Sequence, residues 1–119
     1  MMQSTFSVYS KEQLPIGFHY PATYLQLAKD TSSLDSIPYF AWWFKDAENS
    51  LPDLLDIYFE LTQVKNVLPF ARNGDWAACF DLTDTTGDPR VLVFDLGDAH
   101  CVELKNFDDW LDKAKNHCF

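Results

Sequence analysis

Residues 68–81 read Leu-Pro-Phe-Ala-Arg-Asn-Gly-Asp-Trp-Ala-Ala-Cys-Phe-Asp, and no other stretch says as much about the fold. The Pro69-Phe70 pair is expected to close one element of secondary structure. The Asn-Gly-Asp sequence that follows favours a turn, because these residues adopt turn conformations at little steric cost. A half-apolar strand is predicted to begin directly after this turn.

Three consecutive strands are predicted from this turn onward. Within residues 76–82 every second side chain is apolar, so one face of this strand is expected to be strongly apolar. Residues 90–95 are rich in β-branched and aromatic side chains, and a third short strand is expected at 100–104. Short connections between successive strands are typical of an antiparallel meander. Together with flanking helices, this pattern predicts an α+β fold.

Three helices are predicted around the sheet. The first covers about residues 20–30, and the second covers about 51–62 with Ser50 as its N-cap. The third begins after an N-cap at Asn106. It carries acidic residues in its first turn and basic residues in its last, which complements the helix dipole at both ends.

Two segments have no clear assignment. Residues 1–10 are polar and are expected to form a loose arm or an edge strand. Residues 37–44 are aromatic, which favours a strand, but their continuous apolar run does not alternate. The chain contains neither a repeat nor a linker-like stretch, so we expect one domain that spans residues 1–119.

Composition and charge limit the possible partners. The 119-residue chain is 47% hydrophobic, which suffices for one buried core. Its formal net charge is -9, from 18 acidic and 9 basic residues, which argues against nucleic acid as a direct ligand and permits a basic protein partner. No signal peptide or membrane span is visible, and the three cysteines suggest no disulfide framework. We therefore expect a cytoplasmic protein.

The sequence offers no clear catalytic or metal-binding signature. Residues 81–88 are rich in carboxylates, as a calcium site would be, but their spacing does not fit an EF-hand loop and suits a polar turn. His100 and Cys101 are neighbours, so on a strand they would point to opposite faces. Cysteines without paired spacing are expected to be small buried hydrophobic residues. We predict a protein that is not an enzyme and binds no cofactor or metal.

A tryptophan pair and several carboxylates are the candidate partner-binding residues. Two successive tryptophans cannot both face one core from a strand, so one is expected to be exposed; packing under the second or third helix is the alternative. Carboxylates at strand ends could act as an acid–base pair, but no spacing selects a pair, and solvated strand ends are the competing explanation. The candidates are Trp42, Trp43, Asp75, Asp81, Asp84, Asp88, Asp95 and Asp98.

Several short motifs, taken in order, resemble those of the SUKH superfamily. Its members are small bacterial immunity-like domains related to a fungal cell-wall synthesis regulator. Residues 31–63 match least well, and Gly74 stands alone where many members carry a richer glycine turn. The similar stretches are Leu14-Pro15 with Tyr20 to Leu25, Leu68 to Ala71, Gly74 to Asp81, Val91 to Asp95, and Phe107 to Leu111.

This resemblance implies an α+β domain without catalytic residues. For many bacterial members it also implies an immunity role, in which the domain binds a toxin, often a nuclease, and blocks it. The acidic balance of this chain suits a basic toxin. The alternatives are a regulatory scaffold that binds signalling or cell-wall synthesis enzymes, and a hydrolase or metal-dependent enzyme that uses the acidic loops.

Overall fold

An antiparallel sheet forms the centre of the structure, a computed structural model that describes residues 5–34, 36–47, 50–98 and 100–116. Within these residues, five strands lie side by side in chain order, and each pairs antiparallel with the next. The predicted α+β fold with a meander sheet is therefore confirmed. The strands are β1 (Trp43–Phe44), β2 (Val67–Asn73), β3 (Trp76–Asp81), β4 (Val91–Asp95) and β5 (His100–Leu104).

Strand β2 is the element that the sequence analysis missed. Pro69 and Phe70 were expected to close an element, but they lie in the middle of this strand. The register against β3 shifts between Pro69 and Ala71, which marks a bulge. A bulge beside a short edge strand is a place where a sheet tolerates proline, which has no N–H to donate. The apolar stretch before the turn is therefore the first strand of a hairpin.

The Asn-Gly-Asp sequence forms the tight turn that it predicts. Asn73 pairs with Trp76, so only Gly74 and Asp75 lie between the two strands. Gly74 has a φ of +58°, a conformation that glycine adopts without steric strain. The predicted strands at 76–82, 90–95 and 100–104 agree with β3, β4 and β5 to within one residue at each end.

Three α-helices flank the sheet within the described part of the chain: α1 (Ala22–Lys29), α2 (Leu51–Thr62) and α3 (Phe107–Lys115). The predicted caps are confirmed. Ser50 Oγ accepts a hydrogen bond from the Asp53 N–H at 3.3 Å, and Asn106 Oδ1 accepts one from the Asp109 N–H at 2.8 Å. The longest of these helices has 12 residues, and no helix among the described residues has the length and apolarity needed to cross a membrane.

Aromatic rings fill the core on the face of the sheet that carries Phe80. Tyr24 of α1 and Phe107 of α3 approach Phe80 with ring centroids 5.0 Å and 6.0 Å away. Phe70 stacks on Phe80 at 4.3 Å, and Trp110 of α3 meets Phe70 edge-on at 4.9 Å. Such pairs contribute stability beyond the apolar area they bury. They hold α1 and α3 against this face.

Helix α2 packs against β2 and contributes contacts on the opposite face of the sheet. Arg72 of β2 pairs with Ala77 of β3, three residues before Phe80, so the Arg72 side chain points away from the aromatic core. Its Nη1 donates a hydrogen bond to the Tyr58 hydroxyl of α2 at 3.1 Å. The sequence predicted one strongly apolar face for β3, but residues 77–80 are fully buried on both faces.

Packing orders the described parts of the two segments that had no clear assignment. In the part of segment 1–10 that the structure describes, the chain forms neither a loose arm nor a strand. The Phe6 N–H donates to the Ala28 carbonyl of α1 at 3.1 Å, and the Phe6 ring stacks on Phe44 at 4.9 Å. Of the described aromatic segment 37–44, only the two residues of β1 belong to a strand.

Candidate protein-binding surface

The two neighbouring tryptophans have different environments. Trp42 is only 6% exposed and meets Trp110 of α3 edge-on, with ring centroids 5.3 Å apart. Trp43 is 52% exposed, and the ammonium of Lys45 lies 5.6 Å from its ring centroid. Trp43 pairs with Arg72, so it lies on the same face of the sheet as the Tyr58 contact of α2. Trp42 belongs to the core, and only Trp43 is accessible to a partner.

The loop between β3 and β4 uses its carboxylates to hold its own backbone. Asp84 Oδ1 accepts hydrogen bonds from the Thr86 N–H at 3.1 Å and from the Thr86 hydroxyl at 2.7 Å, and Asp84 Oδ2 accepts one from the Arg90 N–H at 3.0 Å. Asp81 Oδ1 accepts from the N–H and hydroxyl of Thr83 at 2.9 Å and 2.6 Å. These contacts make the loop the polar turn that its composition favours.

Charge within this loop is partly compensated. Arg90 Nε lies 3.0 Å from Asp81 Oδ2 and 3.8 Å from Asp84 Oδ2. The hydrogen bond from the Thr86 hydroxyl lowers the pKa of Asp84, and the backbone N–H groups and the Arg90 charge act in the same direction. Asp88 Oδ2 accepts a hydrogen bond from Asn106 Nδ2 at 2.9 Å, which links the loop to α3. Among the described residues, no three His, Cys, Asp or Glu side chains are grouped so that they could hold a metal ion.

Asp75 and Asp98 lie in the turns at the opposite end of the sheet, and Asp95 is the last residue of β4 at the same end. The Leu96 N–H donates to the Asp75 carbonyl at 2.8 Å, which joins the β4–β5 turn to the β2–β3 turn. A Cβ atom added to Gly97 would lie 3.6 Å from Asp95 Oδ1 and 3.7 Å from Asp75 Oδ2. The Asp75 and Asp95 carboxylates therefore both lie beside Gly97.

The candidate carboxylates fall into two separate groups. Trp76 pairs with Asp95, and Phe80 pairs with Val91, so four residues separate the two ends of this strand pair. That separation is about 13 Å along the strands. Trp43 pairs with Arg72, the neighbour of Asn73 at the end of β2. Trp43 therefore lies towards the end of the sheet that carries Asp75. The structure brings Asp75, Asp95 and Asp98 to this end, and Asp81, Asp84 and Asp88 to the other.

Helix α2 carries an acidic ridge that the sequence analysis did not select. Asp53, Asp56 and Glu60 are exposed, and their spacings of three and four residues align them on one side of the helix. Because this helix was predicted correctly, the spacing of the three acidic residues could have identified the ridge from the sequence. Between Lys45 and Lys65 the chain has five acidic residues and no basic residue: Asp46, Glu48, Asp53, Asp56 and Glu60.

Exposed apolar side chains flank this ridge on both sides. Ile57 and Leu61 are each 46% exposed and lie one turn apart, whereas Phe59, 37% exposed, lies on the other flank. On the Phe59 flank α2 borders an open cleft of about 350 Å³, whose lining includes Leu51, Pro52, Leu55, Asp56, Phe59 and Lys65. Apolar surface rimmed by polar groups is typical of protein contact sites. We call Asp53, Asp56, Ile57, Phe59, Glu60 and Leu61 the α2 surface.

Neither of the two described thiol groups, Cys79 and Cys101, is activated. Cys79 is buried, as expected, and desolvation raises the pKa of its thiol. Cys101 is exposed, so the expectation of a buried residue is wrong there; the pKa of its thiol is also raised, by desolvation and by Glu103. A raised pKa reduces the fraction of reactive thiolate at neutral pH. Cys118 and His117 lie outside the described residues.

Comparisons with models of protein families, with curated proteins and with solved structures find no match to this chain. The similarity to the SUKH superfamily therefore stays a prediction from short motifs. The exposed surface shows which chemistry a partner would have to match, and only that predicted similarity suggests a class of partner.

Proposed function

We propose that this protein is a non-catalytic binding domain of the cytoplasm that neutralises a basic bacterial toxin, with a nuclease as the first candidate. One observation carries the proposal: exposed carboxylates and exposed apolar side chains lie together on the α2 surface of a chain whose net charge is -9. The motif similarity to immunity domains supports the choice of a toxin as partner.

Negative potential favours the encounter with such a partner. Acidic residues outnumber basic ones by 18 to 9, and α2 contains three acidic residues and no basic residue. Complementary charge accelerates diffusional association and disfavours partners of like charge. Apolar contact is expected to add affinity once the complex has formed. Such a gain appears mainly as slower dissociation, since most differences in affinity between related complexes lie in the dissociation rate.

Blockade of a nuclease needs no chemistry from the blocking protein. A nuclease that binds phosphate groups does so with lysine and arginine side chains. Carboxylates held on a folded surface compete with those phosphates for the same cations. The proposed mechanism is therefore steric and electrostatic, and it requires a stable surface rather than a catalytic residue.

The direct test is inhibition of a purified toxin domain. The C-terminal domain of an exported polypeptide encoded beside this gene would be mixed with the protein, and binding would be followed by calorimetry. We expect a saturable complex that weakens as salt concentration rises, with loss of nuclease activity in proportion to the complex formed. The control is an unrelated basic nuclease whose net charge is similar to that of the toxin domain, and it should retain its activity.

Two results would contradict the proposal. Specific binding to an endogenous signalling or cell-wall enzyme, without binding to any neighbouring toxin domain, would indicate a regulatory scaffold instead. Turnover of a substrate that disappears when one side chain is replaced would identify an enzyme.

A further inference from the structure

We propose that the α2 surface is the docking site, and that its occupant is a protein segment that carries both lysine or arginine residues and apolar side chains. This inference deepens the proposed function and rests on it for the identity of the natural partner. Each feature of the occupant follows from a feature of the surface itself.

The acidic ridge determines the charge of the occupant. Asp53, Asp56 and Glu60 project from successive turns of α2, and none of them takes part in an ion pair found among the described residues. By contrast, Asp81 and Asp84 pair with Arg90 in the β3–β4 loop. A cationic segment therefore meets uncompensated carboxylates on α2.

The exposed ring of Phe59 provides a second argument for a cation. The ammonium of Lys65 lies 5.7 Å from the Phe59 ring centroid, within the range of a cation–π interaction. A lysine or arginine of the partner would find the same ring face favourable. Lys65 therefore competes with the partner for this position, and its charge also repels a basic segment.

The apolar groups on both flanks of the ridge determine the remaining chemistry of the occupant. The open cleft beside Phe59 is bounded by Leu51, Pro52 and Leu55, and it accepts an aliphatic or aromatic side chain. Ile57 supplies a second apolar contact on the far flank. A purely cationic segment would leave both apolar areas in water, so the preferred occupant carries both kinds of side chain.

The test uses a peptide of about 14 residues, roughly four helical turns, with leucine and lysine at helical spacing. It is titrated into the ¹⁵N-labelled full chain, and the amide shifts are recorded. We expect saturable shifts concentrated at residues 52–66. A matched peptide with serine in place of leucine should bind several-fold more weakly, because it cannot fill the cleft.

Three variants locate the contact. Asp56→Asn combined with Glu60→Gln should raise the Kd for the leucine–lysine peptide about tenfold. Asp108→Asn combined with Asp112→Asn is the matched control, since it neutralises two exposed acids four residues apart on α3 and should change the Kd less than about twofold. Lys65→Gln should tighten binding several-fold, because it removes the competing cation.

Equal weakening by the α2 and α3 variants would overturn the inference, because attraction would then depend on net charge alone. Shifts centred on residues 81–88 would also overturn it, as would weaker binding by Lys65→Gln. A toxin domain that binds the α2 variant and the wild type equally well would refute the α2 surface while leaving the proposed function intact. Localised peptide binding without any toxin partner would support the surface and refute the immunity role.

Discussion

Phe80 is one of the central residues of the aromatic core. It is fully buried, and its ring lies within 6.1 Å of the rings of Phe18, Tyr24, Phe70 and Phe107. Phe80→Ala should lower the free energy of unfolding by about 3–5 kcal/mol, because the cavity it leaves cannot be refilled from a rigid sheet. Urea denaturation would measure the loss.

Trp43→Ala is the control for this prediction. Its side chain is half exposed, so its truncation should change the free energy of unfolding by less than about 1 kcal/mol. If Phe80→Ala fails to fold, Phe80→Leu provides a milder test of the same packing. Equal losses for Phe80→Ala and Trp43→Ala would contradict the assignment of Phe80 to the core.

Because of Asp84, the free energy of unfolding should depend on pH in the acid range. Its folded-state pKa lies below the ordinary value of 3.8, so its contribution is fully present above that value and is lost as pH falls through the folded-state pKa. Asp84→Asn should destabilise the protein by about 1–3 kcal/mol at neutral pH, because the amide group cannot accept from both Thr86 and Arg90. This difference should shrink steadily in urea unfolding below about pH 4.

The exposed Asp98 provides the comparison. Asp98→Asn should lie within about 0.5 kcal/mol of the wild type at either pH. A difference between Asp84→Asn and the wild type that stays constant from neutral to acid pH would contradict the role assigned to the Asp84 carboxylate.

At the scale of elements, the Asn106 cap links α3 to the β3–β4 loop. Asn106→Ala removes the bond from the Asp109 N–H and also the bond to Asp88 Oδ2, and it should destabilise the protein by about 1–2 kcal/mol. Asp88→Ala should destabilise the wild type by about 0.5 kcal/mol and have no further effect in the Asn106→Ala background. Additive losses in this double-mutant cycle would show that the link contributes nothing.

Local signals predicted most elements correctly. Ser50 and Asn106 defined two helix starts because capping depends on only a few neighbouring residues. Strand β2 was not predicted because a proline usually ends a strand. The bulge that accommodates Pro69 forms only when β2 pairs with β3. The burial of Ala77 depends on tertiary packing, since the alternation within β3 predicts only one strongly apolar face.

At the scale of the whole molecule, the binding site was only partly predictable. Alternation predicted that one tryptophan of the pair would be exposed but not which one, and the structure shows that it is Trp43. The grouping of Asp75 with Asp95, and their separation from Asp84, follows from strand register, which sequence spacing does not reveal. Asp56 and Glu60 were overlooked because an acidic helix face is usually only solvated, and its significance emerges beside the exposed Phe59.

We propose that this molecule acts by binding a basic toxin and not by catalysis. The most direct measurement is the growth of cells that express a neighbouring toxin domain together with this protein. We expect the wild type to restore growth, and Asp56→Asn combined with Glu60→Gln to protect less well than Asp108→Asn combined with Asp112→Asn. Failure of the folded wild-type protein to restore growth against any toxin domain encoded beside its gene would contradict the claim.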